Sequence, residues 1–287
     1  MNVAIIGLGL IGGSIGLALK NASDDIKIIG IPHREVTIQE AMSRNAIDWG
    51  TTDLEKGVKD ADIVFICTPI NLIVPKVKET APFLKKGAIV TDVGSSKAEI
   101  VSKAEKLMPK GTYFVGGHPM AGKEQVKLRS AEFDLIKGKI YVLTVTSRTS
   151  RKALEKVKEV IKLLDCKIVE LEPKLHDQVV AAISHTPLAV AAALVNTIAD
   201  TEKGKDEMKT CAASGFKDTT RIASGDSILG IDMFTTNKKA VLKQLSAFKK
   251  SLSKMEKLIK EGDASKIEAE LKKAKDFRDS IYGQFKS

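Results

Sequence analysis

Short apolar runs alternate with amphipathic stretches along the first part of the chain. The first run, Asn2 to Ile6, leads into a glycine-rich turn, and a second run, Ile26 to Gly30, follows at the spacing of a βαβ unit. Further runs begin at residues 61, 87, 113, 140 and 167. Near-continuous apolar strands of this kind are typical of a parallel sheet covered on both faces. The pattern predicts an α/β fold with a doubly wound, mostly parallel sheet.

After residue 173 the pattern changes to helices. Residues 179–195 are almost wholly apolar and rich in alanine, which predicts a helix buried in a core. From Val241 to Ile259 the apolar residues recur at alternating spacings of four and three, and Gly262 separates this stretch from a second one. We therefore expect a helical hairpin with a narrow apolar seam near the end of the chain.

A glycine-rich turn lies between the first strand and the first helix, with the sequence Gly7-Leu8-Gly9-Leu10-Ile11-Gly12. Each of its three glycines has a different structural role. Gly7 permits the tight turn, Gly9 lets the backbone approach a pyrophosphate, and Gly12 lets the helix pack close to the strand. The N-terminus of the helix then points at the phosphate. We expect this turn, including Leu10 and Ile11, to bind a dinucleotide cofactor.

Two domains follow from these patterns. Residues 1–172 are expected to form a Rossmann-type, dinucleotide-binding domain, and residues 173–287 an all-α domain for substrate binding and dimerisation. Because the second domain is too slender to bury all its apolar surface alone, we expect a homodimer built through it.

The end of the second strand indicates which dinucleotide is bound. An acidic residue that takes the ribose hydroxyls of NAD is usual there, but the chain has His33 and Arg34, followed by Thr37. A cationic pocket suits the 2′-phosphate of NADP, so that we expect NADP rather than NAD. In the alternative interpretation, His33 and Arg34 are solvated loop residues and Glu35 supplies the acid.

Composition narrows the class of protein. A hydrophobic content of 43% indicates a globular chain, and we expect neither a membrane span nor a signal peptide, since the first strand begins at residue 2. Cys67, Cys166 and Cys211 are isolated from one another, which favours reduced thiols in the cytoplasm over disulfides or a zinc site. The net charge of +10 is spread over predicted helix faces, and aromatics are few, which argues against nucleic-acid binding.

Several predicted strands end in polar residues that could carry chemistry. Thr68-Pro69, Ser95-Ser96 and Gly117-His118 each follow an apolar run, and ligands of open α/β sheets bind at the carboxyl ends of strands. His118 has a side chain that could accept a proton from a hydroxyl while a hydride leaves the same carbon. Ser95 or Ser96 could hydrogen-bond that hydroxyl, cap the following helix, or do both.

The helical part contributes further polar candidates. Ser184 and His185 interrupt an apolar helix, so that His185 is either a satisfied core histidine or faces a ligand. Arg221 has the planar fork that grips a carboxylate, with Asp218 three residues before it, and a surface salt bridge between the two is the ordinary alternative.

Five ordered motifs together resemble the prephenate/arogenate dehydrogenase family. The resemblance covers nearly the whole chain and rests on residues 7–14, 94–97, 117–122, 184–187 and 215–223. It implies an oxidative decarboxylation in tyrosine biosynthesis: a hydride leaves the ring carbon bearing the 4-hydroxyl for a nicotinamide, the ring carboxylate departs as CO2, and the ring becomes aromatic. It also implies a helical C-terminal domain that dimerises.

The resemblance assigns roles by position. His118 matches a catalytic histidine that accepts the hydroxyl proton, Ser95 matches a serine hydrogen-bonded near it, and Arg221 matches an arginine that holds the ring carboxylate. Thr68-Pro69 matches the turn beside the nicotinamide. Gly117, Ser184 and His185 are then expected at the substrate.

One departure from the family pattern bears on the substrate. Many members that use prephenate have a second histidine near the pyruvyl side chain, where this chain has Leu188. An ammonium group on the side chain of arogenate has no use for a cationic neighbour. The departure favours arogenate as the substrate and NADP as the cofactor. In this respect the chain is similar to NADP-dependent arogenate enzymes, and prephenate remains the alternative substrate.

Other classes of protein fit parts of the sequence. The same fold without the chemistry would be an NADP(H)-sensing binding module, against which His118 and Arg221 argue. A basic nucleic-acid binder would show a steep salt dependence. A β-hydroxyacid dehydrogenase usually needs a lysine base on the interdomain helix, where this chain has Ser184-His185.

Overall fold

The apolar runs of the first part of the chain form one sheet. A computed structural model describes residues 1–123 and 127–283, and over these residues the sheet has eight strands in the order β3-β2-β1-β4-β5-β6-β7-β8. The strands are β1 Asn2–Ile6, β2 Lys27–Ile31, β3 Trp49–Gly50, β4 Ile63–Ile66, β5 Ile89–Asp92, β6 Tyr113–Pro119, β7 Ile140–Thr144 and β8 Lys167–Leu171. The predicted fold class, a mostly parallel sheet followed by helices, is confirmed.

Helices connect the strands and form the rest of the chain. In the first part they are α1 Leu10–Ala22, α2 Glu35–Ser43, α3 Leu54–Val58, α4 Ile70–Thr80, α5 Ala98–Leu107 and α6 Arg151–Leu163. After the sheet come α7 Pro173–Val180, α8 Thr186–Ala199, α9 Lys205–Cys211, α10 Ser214–Thr220, α11 Ser227–Thr236, α12 Lys238–Glu261 and α13 Ala264–Tyr282. A π-helical turn at Ala181–His185 joins α7 to α8, and short 3-10 turns lie at Ala81–Phe83, Leu128–Ser130 and Arg221–Ser224.

Successive residues of the central strands bury into two separate cores, one on each face of the sheet. In β1, Val3 and Ile5 belong to one core, and Ala4 and Ile6 belong to the other. The first core also contains apolar residues of α1 and α6, and the second contains those of α4 and α5. Side chains of a strand point alternately to opposite faces, so burial on both faces requires the near-continuous apolar runs seen in the sequence.

β6 extends beyond the apolar run that predicted it, which comprises residues 113–115. The strand runs on to Pro119, and its second half pairs antiparallel with β7, with His118 opposite Val142. His118 is therefore held on a strand rather than in a loop. Gly116 and Gly117 allow this because side chains there would overlap the Thr144 hydroxyl and approach the Asp92 carbonyl. Glycine in a strand often marks such a close approach of backbone.

The run Pro173–Ala199 differs from the buried core helix that its composition predicts. By length and composition it could cross a membrane, yet its most apolar window is only 28% buried. Ile183 is 63% exposed and Leu194 is 37% exposed, whereas Ala181, His185 and Ala191 are buried. The prediction of a fully buried helix is thus wrong for a single chain, because one side of the helix packs and the other keeps an uncovered apolar face.

The chain divides into two compact units, Met1–Lys238 and Lys239–Ser287. The second unit contains the predicted helical hairpin, most of α12 with α13. Gly262, with a φ of +66°, ends the first helix, and the Asp263 carboxylate accepts a hydrogen bond from the backbone N–H of Lys266 at the start of the second. The domain boundary between residues 172 and 173 stays a prediction.

Candidate active site

A cleft of about 1070 Å³ opens at the carboxyl ends of the central strands. It brings together residues that are far apart in the sequence, as the crossover of an open α/β sheet requires. All the predicted cofactor residues except Gly12 line it, together with both predicted catalytic residues: Gly7, Gly9, Leu10, Ile11, His33, Arg34, Thr37, Thr68, Pro69, Ser95 and His118.

The glycine turn between β1 and α1 has the geometry of a pyrophosphate site. Gly7 has a φ of +92°, which favours glycine. Gly12 does not line the cleft, and a Cβ at this position would overlap the Gly7 carbonyl oxygen. Gly9 precedes the first turn of α1, which has neither a side-chain cap nor an acidic residue. The N–H groups of this turn are therefore suited to a phosphate, and the residues fit a dinucleotide.

The end of β2 forms another part of the cleft wall. His33 and Arg34 are exposed, and Arg34 immediately precedes α2, on whose first turn Thr37 lies. Glu35, the alternative ribose ligand, accepts a hydrogen bond of 2.6 Å from the Thr52 hydroxyl and is not among the residues that line the cleft. The cationic groups, and not this carboxylate, face the ligand space.

The loop after β5 carries Ser95 and Ser96. Ser95 Oγ is buried and has no hydrogen-bond partner among the described residues, whereas Ser96 Oγ donates to Thr236 Oγ1 on α11 at 2.9 Å. The helix-cap interpretation of these serines is wrong. The residue at the N-cap of α5 is Lys97, and its side chain makes no capping hydrogen bond. The Asp177 carboxylate accepts from the backbone N–H groups there instead.

His118 is 8% exposed, and its Nδ1 lies 2.8 Å from Nε2 of His176 on α7. Burial chiefly, with smaller electrostatic effects from His176 and Lys97, lowers the pKa of His118 well below 6.5. A histidine with a lowered pKa is neutral at neutral pH and is able to accept a proton. The lone pair needed for a general base is therefore available at the wall of the cleft.

A buried ion pair lies directly behind His118. Lys97 and Asp92 are both fully buried, and Lys97 Nζ donates to the Asp92 carboxylate and, at 2.8 Å, to the Gly117 carbonyl. Asp92 also accepts from the N–H groups of Gly94 and Gly117. The pair ties the end of β5 to the backbone just before His118. An aspartate ending an apolar strand, with a lysine five residues later, is the signal that sequence reasoning missed.

His185 and Ser184 do not line the cleft. His185 is fully buried in the π-helical turn, and its Nδ1 lies 3.3 Å from the amide nitrogen of Asn237. Burial lowers the pKa of His185 to about 4, so that the ring is neutral. Its Nε2 is buried without a hydrogen-bond partner in the described chain. The structure thus leaves both interpretations of His185 open.

Gly117 and Arg221 also lie outside the set of residues that line the cleft. Gly117 is buried within β6, where its backbone contacts Asp92 and Lys97. Arg221 is exposed and begins the 3-10 turn between α10 and α11, a turn that packs against α8. The structure therefore groups the cofactor and catalytic candidates but does not bring Arg221 to them within one chain.

A glycine turn at a helix N-terminus and a neutral histidine at a neighbouring strand end define the class of the protein as a dinucleotide-dependent oxidoreductase. Two family models match the chain: the nucleotide-binding domain of prephenate dehydrogenase over residues 15–170, and its dimerization domain over residues 172–273. The chain belongs to the prephenate dehydrogenase family, and the predicted resemblance is confirmed.

Individual relatives agree with this assignment over almost the whole chain. Prephenate dehydrogenase of Bacillus subtilis is 35% identical over 280 residues, which are 97% of this chain and 76% of the relative. The structure of Synechocystis arogenate dehydrogenase is 35% identical, with a TM-score of 0.86, and covers 98% of this chain and 100% of that one. The structure of prephenate dehydrogenase from Aquifex aeolicus, in complex with hydroxyphenyl propionate and NAD+, is 34% identical, with a TM-score of 0.91 and 98% of each chain covered.

These matches establish the general activity. The chain is an enzyme with prephenate/arogenate dehydrogenase activity that uses a nicotinamide dinucleotide and a small-molecule substrate in aromatic amino acid biosynthesis.

Proposed function

We propose that the protein converts arogenate to tyrosine and passes the hydride to NADP. The observation that supports this most directly is that a single cleft joins the glycine turn, the cationic end of β2 and His118. The alternative is that it converts prephenate to 4-hydroxyphenylpyruvate with NAD or NADP. Relatives named for each substrate are almost equally similar to this chain.

The cleft residues divide the reaction between them. When bound, the nicotinamide accepts a hydride from the ring carbon that bears the 4-hydroxyl. His118 accepts the proton of that hydroxyl, and Ser95 hydrogen-bonds the same oxygen, for which its buried and unpartnered Oγ is suited. Loss of the ring carboxylate as CO2 leaves its electron pair in the ring, which becomes aromatic. Arg221, which does not line the cleft of the single chain, is assigned to that carboxylate by the family resemblance and would hold it before it leaves.

The preference for NADP rests on the end of β2. Arg34 and His33 can donate charge-assisted hydrogen bonds to a 2′-phosphate, and Thr37 can add a hydroxyl. A carboxylate from Glu35 would repel that phosphate, but Glu35 accepts a hydrogen bond from the Thr52 hydroxyl and does not line the cleft. The local charge is thus matched to a phosphate rather than to ribose hydroxyls.

The preference for arogenate rests on Leu188. This residue is the third of α8, directly after Pro187 and three residues beyond His185. A leucine offers no hydrogen bond to a pyruvyl carboxylate or ketone, and it places no positive charge near the ammonium group of arogenate. Arogenate is therefore the better match for this position.

We further propose a homodimer through the helical domain. Apolar side chains stay exposed on the π-helical turn and on α11, with Ile183 at 63%, Ile228 at 61% and Ile231 at 59%. Exposed apolar patches of this kind mark interaction surfaces, and the matching family model is described as a dimerization domain. Light scattering of the purified protein tests this, with a monomer mass as the contradicting result.

The decisive experiment is the initial rate of reduced-nicotinamide absorbance for the four pairings of arogenate or prephenate with NADP or NAD. Turnover largely with arogenate and NADP is the expected result. A preference for prephenate contradicts the inference from Leu188, and a preference for NAD contradicts that from Arg34 and His33. Absence of activity in every pairing would instead favour an NADP(H)-sensing binding module.

The cofactor preference can be tested separately by Arg34→Ala. Because a charge-assisted hydrogen bond contributes about 1.5–3 kcal/mol, kcat/KM for NADP should fall about 10- to 100-fold while that for NAD stays unchanged. Lys27→Ala, an exposed lysine at the other end of the same strand, is the matched control and should leave both values unchanged. Equal losses with NADP and NAD would show that Arg34 does not contact the 2′-phosphate.

Two substitutions test the roles at the substrate. His118→Asn should keep cofactor binding but lower kcat by about 10²–10⁴, the usual contribution of a general base. Arg221→Ala should mainly raise KM for the substrate, since it removes a group that binds the ring carboxylate. Unchanged kcat in the first variant, or unchanged KM in the second, would remove that residue from the proposed site.

A further inference from the structure

Two buried side chains follow His118 in a continuous chain of hydrogen bonds. His118 Nδ1 lies 2.8 Å from His176 Nε2, and His176 Nδ1 lies 2.9 Å from Asp177 Oδ1. His176 is fully buried and Asp177 is 7% exposed. Both residues lie on α7, outside the motifs that carried the sequence analysis, and neither lines the cleft.

The carboxylate end of this chain is fixed as a hydrogen-bond acceptor. Asp177 Oδ1 accepts from the backbone N–H of Lys97 at 2.7 Å, and Oδ2 accepts from that of Ala98 at 2.9 Å. A backbone N–H can only donate, so that both oxygens are held as acceptors. The Nδ1 of His176 must therefore carry a hydrogen to satisfy its contact with Oδ1.

The direction of the remaining hydrogen bond then follows. Burial lowers the pKa of His176, with Asp177 opposing, and burial also lowers the pKa of His118, so that both rings are neutral. A neutral ring has one N–H, and in His176 that is Nδ1, which leaves Nε2 as an acceptor. His118 must donate from Nδ1, and its own Nε2 keeps a lone pair. This tautomer is assigned from the hydrogen-bond network.

We propose that His176 and Asp177 are positioning residues that fix His118 in the tautomer whose free lone pair, on Nε2, accepts the substrate proton. The proposal rests on the proposed function, in which His118 is the base. When Nε2 gains the proton, the Nδ1–H of the imidazolium still donates to His176, whose polarity is set by the Asp177 carboxylate. The hydrogen bond from His118 to His176 is therefore kept in both protonation states of His118.

Other polar and charged groups lie near the hydrogen-bonded chain of His118, His176 and Asp177, but they do not fix the tautomer of His118. Lys97 Nζ, at the start of α5, is neutralised by Asp92 on β5, and His185, in the π-helical turn, is neutral. Asn237 Nδ2 donates to the Asp177 backbone carbonyl at 2.8 Å and lies near His185, not near His118. Among the described side chains, His176 is the hydrogen-bond partner of the His118 ring.

Two substitutions at His176 separate a chemical role from simple packing. His176→Gln can accept from His118 through its amide oxygen and donate to Asp177 through its nitrogen, so that the tautomer is kept. His176→Phe fills the space but offers no acceptor. We expect kcat to fall about 10²-fold in His176→Phe and less than about 10-fold in His176→Gln, with KM and the Kd for the dinucleotide nearly unchanged in both.

Nitrogen NMR of the full-length protein with isotope-labelled histidine measures the tautomer directly. The His118 signals, assigned by their loss in His118→Asn, should show a protonated Nδ1 and an unprotonated Nε2 in the parent protein and in His176→Gln. In His176→Phe this single tautomer should be lost. A protonated Nε2 in the parent protein overturns the proposal, and so do equal losses of kcat in the two variants.

This design also separates the proposal from the proposed function. If the parent protein turns over none of the four substrate and cofactor pairings, the proposed function fails and the role in catalysis fails with it. If the parent protein is active but His176→Phe keeps its kcat within about two-fold, the function stands and the positioning role is overturned.

Discussion

Three buried histidines should make the stability of the first compact unit depend on pH. His118, His176 and His185 all have a pKa lowered below 6.5, in each case chiefly by burial. A histidine with a lower pKa in the folded chain binds fewer protons there than in the unfolded chain. The contribution of these histidines to the free energy of unfolding is therefore fully present above pH 6.5 and is lost as the pH falls below this value.

The size of the loss can be worked out for His185. With its pKa at 6.5 in the unfolded chain and about 4 in the folded one, acidification from pH 6.5 to about 5 should cost about 1.5 kcal/mol. His118 and His176 add losses of the same sign. The window is chosen because carboxylates with lowered pKa values, with usual values of 3.8 and 4.5, affect stability mainly below it.

Urea unfolding at several pH values can measure this loss, followed by the fluorescence of Trp49. This is the single tryptophan of the chain, and it lies on β3 within the unit Met1–Lys238. His185→Asn should reduce the pH-dependent loss by about 1.5 kcal/mol, because one titrating group is removed.

Asp62→Asn is the matched control for this measurement. Burial raises the pKa of Asp62, but hydrogen bonds from Lys85 and Asn2 outweigh this and lower it below 3.8. Its contribution is therefore constant across the window, and the substitution should change the stability without changing its dependence on pH. A parent protein that loses less than about 1.5 kcal/mol, or a His185→Asn variant with the same loss as the parent, would refute the reasoning.

Two further substitutions test the cofactor turn and the buried ion pair. Gly12→Ala should abolish dinucleotide binding in a fluorescence titration, because the new Cβ overlaps the Gly7 carbonyl, whereas Gly215→Ala, in open space, should leave the Kd unchanged. Lys97→Met should lower the free energy of unfolding by about 3–5 kcal/mol in urea, because it leaves the Asp92 carboxylate buried without its cation. A loss below about 1 kcal/mol would show that Asp92 finds another partner.

The sheet was predictable because its signals are local. β1, β2, β4 and β5 are near-continuous apolar runs, and burial on both faces of a parallel sheet is the main physical reason for such runs. The turn after β1 was predictable from the spacing of its glycines between a strand and a helix. The antiparallel pairing of β6 with β7 was not predictable, because it depends on where two distant strands meet rather than on either run.

The candidate site was predictable in part for the same reason. Residues at strand ends, such as Thr68, Ser95 and His118, reach the cleft because the topology of the sheet brings strand ends together. His176 and Asp177 lie on a helix that begins after the last strand, and only the packing of α7 against α5 places them behind His118. No spacing in the sequence encodes that contact.

The packing of α7 against α5 also explains why effects of a substitution on catalysis are difficult to separate from its effects on the stability of the fold. Asp177 replaces the missing cap of α5 by accepting from the N–H groups of Lys97 and Ala98, and it also polarises His176. Lys97 in turn holds the Gly117 carbonyl beside His118. A substitution at Asp177 would disturb the helix start and the base together. His176, whose side-chain hydrogen bonds among the described residues are those to His118 and Asp177, is therefore the position at which chemistry can be tested apart from folding.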